Sequence, residues 1–314
     1  MPYNDKVISL STRKPFHSGT GESLRPTKRH LTRIISITSG KGGVGKTNIV
    51  ANLGYQLSRA GNRVLILDAD LGLGNLDILL GLAPRYNLSH VLLGEKQIGD
   101  IVIEGPGQLR ILPAASGIQE LTQLSRDQKM GMLYELDQLL NSVDILLIDS
   151  AAGISANVLD FSVSAQEIMV VVTPEPTSIT DAYALMKVLS TKYAEKTCRL
   201  IVNQVSNEQE GREIFRQLNL VAQKFLAISM EYFGCILHDE NLVRCVKQQR
   251  IISQAHPDSP ATRGFRNLAR RTRALPKIKA NQGDSQLFWG HIFQDGAISS
   301  KSKYQTGLDE IENN

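Results

Sequence analysis

The chain is poor in the residues that mark redox, metal or secreted chemistry. It has three cysteines in 314 residues and no Cys-x-x-Cys pair, which speaks against a disulfide framework or a thiolate metal site. Cys198 and Cys235 fall in strand-like stretches and Cys245 in a helix-like one, so buried reduced thiols are expected. The six histidines are scattered without metal-ligand spacing. No apolar run approaches the ~20 residues that span a bilayer. The first thirty residues are polar and mildly basic, without the apolar centre of a signal peptide. A cytoplasmic protein is therefore expected. A formal net charge of +4 is too small and too spread to argue for nucleic acid by itself.

What is present is a glycine-rich loop, Gly40-Lys41-Gly42-Gly43-Val44-Gly45-Lys46-Thr47. It follows the apolar run Ile34–Ile37 and precedes a helix-like stretch, Asn48–Ala60. Small residues let backbone N–H groups turn inward, and the helix start adds partial positive charge, so such a loop cradles phosphates. Lys46 is placed to reach the terminal phosphates of a nucleoside triphosphate, and the Thr47 hydroxyl to ligate Mg²⁺. Gly40 to Asn48 are the candidate nucleotide-binding residues.

Between Thr32 and about Leu275, short β-like runs alternate with longer helical ones. The strand candidates are Ile34–Thr38, Val64–Leu67, Leu109–Leu112, Ile145–Ile148, Ile168–Val172, Leu200–Asn203 and Gly234–Leu237. Several are continuous aliphatic runs, as strands covered on both faces require. The expected fold is α/β: a doubly wound, mostly parallel sheet of about seven or eight strands, with helices on both faces. No repeat or linker divides this span. The expected domains are a flexible basic arm (1–30), a P-loop domain (31–276) and a flexible tail (277–314).

Ligands in such sheets lie beyond the carboxyl ends of the strands, and carboxylates stand at two further strand ends. Asp149 closes Ile145–Ile148, the setting of a carboxylate that holds Mg²⁺. Asp68 and Asp70 close Val64–Leu67 and open the Gly72–Asn75 loop. A carboxylate there is suited to orient an attacking water, and Asp68 joins Thr47 and Asp149 as a candidate metal-holding residue. Because Lys46 already serves the terminal phosphate, Lys41 has two readings. It either projects outward to neutralise the nucleotide of a second subunit, or it is an exposed lysine without a role.

Ser39–Thr47, Asp68–Asp77 and Asp149–Ala156 together resemble the deviant Walker A ATPases, the MinD/ParA family. The resemblance implies that Lys41 is the signature lysine acting across an ATP-sandwich homodimer. It further implies that Asp70 is the water-orienting aspartate, that Asp149 is the Walker B residue, and that Asn203 reads adenine. Ala151 stands where division-site members carry proline. Within the family, Leu71–Pro84, Leu112–Gly117, Glu175–Leu185 and Tyr232–Arg250 are similar to the flagellar number regulators. That implies a switch limiting flagellar number and placement. Implied partners are an FlhF-like GTPase, a flagellar transcription activator and flagellar switch-ring proteins. Members that stimulate the GTPase carry an N-terminal Asp-Gln-Ala-x-x-Leu-Arg motif, of which this arm offers Leu24-Arg25.

Two features at the C-terminal end remain open. Ala261–Leu275 reads as an amphipathic helix with Phe265, Leu268 and Leu275 on one face and Arg263, Arg266, Arg270 and Arg273 opposite. That basic face is either simply solvated or meets a phosphate-rich partner. Beyond it, the aromatic island Leu287–Phe293 either packs back on the domain or docks on a partner. It could also make a weak peripheral contact with the inner face of the cell membrane. Direct DNA binding is not expected. The competing readings are a DNA-segregation ATPase and a division-site MinD protein. Two others are a scaffold that only binds ATP and an iron–sulfur carrier, for which the cysteines lie too late in the chain.

Overall fold

The computed structural model describes residues 31–70, 74–113, 126–277 and 288–289. Among them, eight strands form one sheet: β1 (Arg33–Ser39), β2 (Val64–Ala69), β3 (Ile103–Gly105), β4 (Leu109–Leu112), β5 (Ile145–Ala152), β6 (Glu167–Val172), β7 (Thr197–Val205) and β8 (Ser229–Leu237). Their order across the sheet is β3-β4-β2-β5-β1-β6-β7-β8. Every neighbouring pair is parallel except β3 with β4. The helices are α1 (Lys46–Arg59), α2 (Leu76–Leu80), α3 (Leu88–Leu92), α4 (Ile98–Ile101), α5 (Arg126–Asn141), α6 (Ala156–Ser164), α7 (Pro176–Tyr193), α8 (Glu208–Phe225), α9 (Glu240–Lys247), α10 (Ile252–Ala255) and α11 (Pro260–Arg273).

Strand side chains alternate between two apolar layers. Ile35, Ile37, Ile66 and Leu147 pack with Leu53 and Leu57 of α1 and with Phe265 and Leu268 of α11. Ile34, Leu65, Leu146 and Ile148 face the other way, with Leu136 and Leu140 of α5 and Phe161 of α6. A third cluster joins β6–β8 to α7 and α8 through Val170, Leu185, Leu200 and Leu218. Both faces are thus covered, and β2 is buried along its whole length.

The chain leaves β1 for β2 on one side, returns through β5 beside β1, and continues to β6 on the other side. That reversal opens a crevice at the carboxyl end of β1, where the glycine loop lies.

The sheet adds one strand to the sequence expectation and lengthens several others. β3 is a three-residue antiparallel edge strand, too short for a periodic signal. β8 begins at Ser229 rather than Gly234; its first half mixes exposed Glu231 with buried Phe233, as befits an edge.

Of the aromatic island, Phe288 and Trp289 are 2% and 3% exposed and join the α5–α6 layer. Their rings meet edge-on with centroids 4.7 Å apart. At these two residues the chain beyond 276 is seated on the domain, because two large apolar rings gain more by burial than by remaining in water. The 1–30 arm and the rest of the tail lie outside the described residues.

Candidate functional site

The glycine loop leads from Ser39 at the end of β1 into α1, which Gly45 caps in the left-handed region at φ 91°. Gly45 could bear no side chain, since a Cβ would come within 2.4 Å of Asn203 Nδ2. Gly40 is fixed differently: a Cβ there would meet the Asp181 carbonyl oxygen at 2.1 Å, so α7 packs directly onto the loop. The first bond inside α1 runs from Ile49 N–H to Gly45 O. The N–H groups of Lys46, Thr47 and Asn48 therefore have no partner within the helix and stand at its positive end, the arrangement that receives a phosphate.

Lys46 is 9% exposed, and its ammonium donates to Ser39 Oγ at 2.8 Å. Ser39 Oγ in turn donates to Lys41 O at 2.6 Å. Burial lowers the Lys46 pKa, while Asp149 and Asp70 oppose that shift. Asp68 and Asp149 are register partners on β2 and β5, 3% and 2% exposed. The N–H groups of Asp70 and Leu76 donate to Asp68 at 3.2 and 3.3 Å. Burial nevertheless pushes its pKa up to about 6. Asp149 is pushed up to about 7, first by burial and then by the charge of Asp68; a bond from Thr47 and the charge of Lys46 pull it down. Asp149 Oδ1 is buried with no hydrogen-bond partner among the described residues.

A buried carboxylate with one unused oxygen, a second carboxylate beside it and a hydroxyl on the first fit a hard divalent cation such as Mg²⁺. The same cation would favour the ionised carboxylates that burial disfavours. Asp70, at the mouth of this group, is close enough to act electrostatically on both Lys46 and Asp149. The structure thus brings together the loop residues, Asp68, Asp70 and Asp149.

The side chains of Lys41 and Asn203 are both engaged with other protein groups. The Lys41 ammonium turns out of the loop to pair with Glu175, and it donates to Thr177 Oγ1 at 3.0 Å. Asn203 is buried, and its amide donates to Val44 O at 2.7 Å while its oxygen accepts from Gln204 N–H at 2.9 Å. With both ends occupied, it braces the loop from β7. Reading adenine would require it to give up those bonds.

Nothing in the sequence by itself gives a role to Ser39, Glu175, Thr177 or Asp181. Their importance rests on contacts with distant parts of the chain, which no local spacing announces. At Ala151 the strand simply continues: β5 runs to Ala152, and Gly153 N–H bonds Ser39 O at 2.9 Å.

Residues 32–202 match the AAA domain family. The chain is 40% identical over 271 residues to the antiactivator FleN of Pseudomonas aeruginosa, covering 86% of this chain and 97% of that one. It is 34% identical over 266 residues to the flagellum site-determining protein YlxH of Helicobacter pylori, covering 84% and 87%. The fold superposes on the septum site-determining protein MinD of Pyrococcus horikoshii, solved with Mg-ADP. There the TM-score is 0.61 and the identity 26%, covering 77% of this chain and 96% of that one. A phosphate cradle at the sheet's reversal point, a carboxylate pair suited to Mg²⁺ and these relatives agree: the chain is an ATPase of the MinD/ParA family, in its FleN/FlhG branch.

Proposed function

We propose that this MinD-type regulator of flagellar number works as an ATP-timed monomer–dimer switch. The observation that carries the reading is the divergence of the two loop lysines. Lys46 is buried inward on Ser39, whereas Lys41 points out of its own cradle toward the start of α7. A cation so placed serves a nucleotide held by a second copy better than its own.

In this reading the N–H groups of Lys46–Asn48 and the Lys46 ammonium grip the phosphates. Thr47 and Asp149, with Asp68 behind them, hold Mg²⁺, which supplies charge neutralisation on the phosphates. Asp70 orients the attacking water. Lys41 leaves Glu175 for the partner's nucleotide, and loss of the terminal phosphate removes what it was holding, so the pair separates. Turnover then sets the lifetime of the dimer. By analogy with its antiactivator relative, the dimer would restrain a flagellar transcription activator, while an FlhF-like GTPase and switch-ring proteins bind it in turn. No described helix is long and apolar enough to cross a membrane. With Phe288 and Trp289 buried, any membrane contact through them is limited to moments when those rings leave the core.

Light scattering of the full chain with Mg-ATP tests this. Wild type should dimerise transiently, Asp70→Ala should remain dimeric, and Lys41→Ala should stay monomeric while still binding nucleotide. A Lys41→Ala variant that dimerises like wild type would remove the crossed-lysine reading.

A further inference from the structure

β8 closes one end of the sheet, and its outer edge runs between helices on opposite faces. α8 seats closely on one face at Gly211, where a Cβ would lie 2.9 Å from Tyr232 Oη. α11 seats on the other at Gly264, where a Cβ would lie 2.8 Å from Ile236 Cδ1. Along Tyr232–Cys235 the two helices leave a groove of about 280 Å³. Arg212 lines it from the α8 side and Asn267, Arg270 and Arg271 from the α11 side; Glu208 is the one acid in its lining.

The arginines there are incompletely matched. Arg271 reaches Glu231 at 3.5 Å. Arg270 donates to Asn267 at 3.4 Å, and Arg212 lies over the Tyr232 ring at 5.6 Å. Among the described residues, no carboxylate pairs with Arg212 or Arg270. The edge is also unsuited to a long added strand. The β7–β8 register shifts between Leu200 and Ile201, opposite Gly234 with its φ of 140°. Such a bulge interrupts the ladder and turns an edge away from continuous pairing. The groove therefore suits the side chains of a short acidic segment.

We propose that its occupant is this chain's own acidic end, Asp309–Glu312. The last eight residues, Gly307–Asn314, hold Asp309, Glu310 and Glu312 and no lysine or arginine. Leu308 and Ile311 supply apolar side chains for the groove floor at Tyr232 and Leu268. The reach is sufficient: the twenty residues from the anchored Trp289 to Asp309 extend up to ~66 Å. The path from the central strands to the β8 edge is four strand spacings, or ~19 Å. Carboxylates on Arg212 and Arg270 would complete the charge balance of the groove.

Cys235 on the groove floor makes the proposal directly testable. It is half-buried, whereas Cys198 and Cys245 are buried. In the full chain carrying Ile311→Cys, mild oxidation with diamide should give a disulfide to Cys235 within one chain, read by peptide mass. It should be absent with Cys235→Ser. Arg212→Glu with Arg270→Glu should lower the yield about tenfold, the scale expected when part-exposed ion pairs are lost together. Adding Asp309→Lys and Glu310→Lys should restore it, which a merely unfolded variant would not do. A yield unaffected by the charge reversals would overturn the proposal. So would a disulfide that joins two chains, which would assign the groove to a second copy's tail.

Discussion

Asp68 and Asp149 stand opposite each other in register on β2 and β5, both buried against the α1 side of the sheet. Their pKa values are raised from the ordinary 3.8 to about 6 and about 7. Burial is the main cause for each, and for Asp149 the charge of Asp68 comes next. A raised acid keeps its proton in the fold where the unfolded chain has lost it. Its stabilising effect is complete below pH 4 and is lost as pH rises through about 7. Without nucleotide or Mg²⁺, unfolding free energy should therefore fall between pH 4 and 7, by several kcal/mol and at most about 7 for the two groups together. Asp149→Asn should flatten much of that slope and equal or exceed wild type in stability above pH 7. Urea unfolding across this range checks both; a slope unchanged by the substitution would place the raised acid elsewhere.

Gly40 and Gly42 sit two residues apart and should respond in opposite ways to the same methyl group. At Gly40 the new Cβ collides with the Asp181 backbone, which moves only with α7, whereas at Gly42 it meets nothing within 4 Å. Gly40→Ala should cost about 3 kcal/mol or prevent folding. Gly42→Ala should change stability by less than about 0.5 kcal/mol. Thermal unfolding of the two variants separates the role of packing from that of phosphate contact.

Arg199 on β7 lies between Glu167 of β6 and Glu231 of β8. Arg33 continues the line to β1 at 3.0 Å from Glu167, and Arg271 continues it to α11. The Arg199 and Glu167 side chains are only 17% and 15% exposed. Arg199→Leu strands Glu167 with a single partner and should cost about 2 kcal/mol, less than a fully buried pair because Glu231 is half in water. Combining it with Glu167→Gln should cost less than the sum of the single changes. Denaturant titration of the four chains gives the coupling.

The parts of this molecule that could be read from sequence are those whose physics is local. A glycine loop between an aliphatic strand and a helix announces itself by spacing. β5 and β6 show as unbroken apolar runs because both their faces are covered. The edges were harder: β3 has three residues, and half of β8 is tuned to water on one side. Hidden altogether were contacts between distant residues. The Asn203 bond to Val44 spans 159 positions, and the Asp181 carbonyl that dictates Gly40 lies on a helix formed much later in the chain. The lysine–glutamate pair at Lys41 belongs to the same class. Glu175 lies in a stretch the sequence marked as distinctive, but with no chemistry attached until α7 was placed against the loop.

That pair sets the sign of the last prediction. Glu175 holds Lys41 within its own chain, and Thr177 adds a hydrogen bond. If Lys41 must reach a second copy's nucleotide, these contacts have to break first, and their free energy opposes dimerisation. The side chains are 34% and 59% exposed, so the solvent-screened pair is worth no more than about 1 kcal/mol, or roughly fivefold in an equilibrium constant. Two such pairs break per dimer, one in each copy, so Glu175→Ala should tighten ATP-dependent self-association by up to about thirtyfold, without altering nucleotide affinity in the monomer. Sedimentation velocity over a concentration series in Mg-ATP, paired with nucleotide titration of dilute protein, measures the two effects separately. Weaker association in the variant would mean that Glu175 itself touches the second copy, so that removing it costs the dimer more than freeing Lys41 gains.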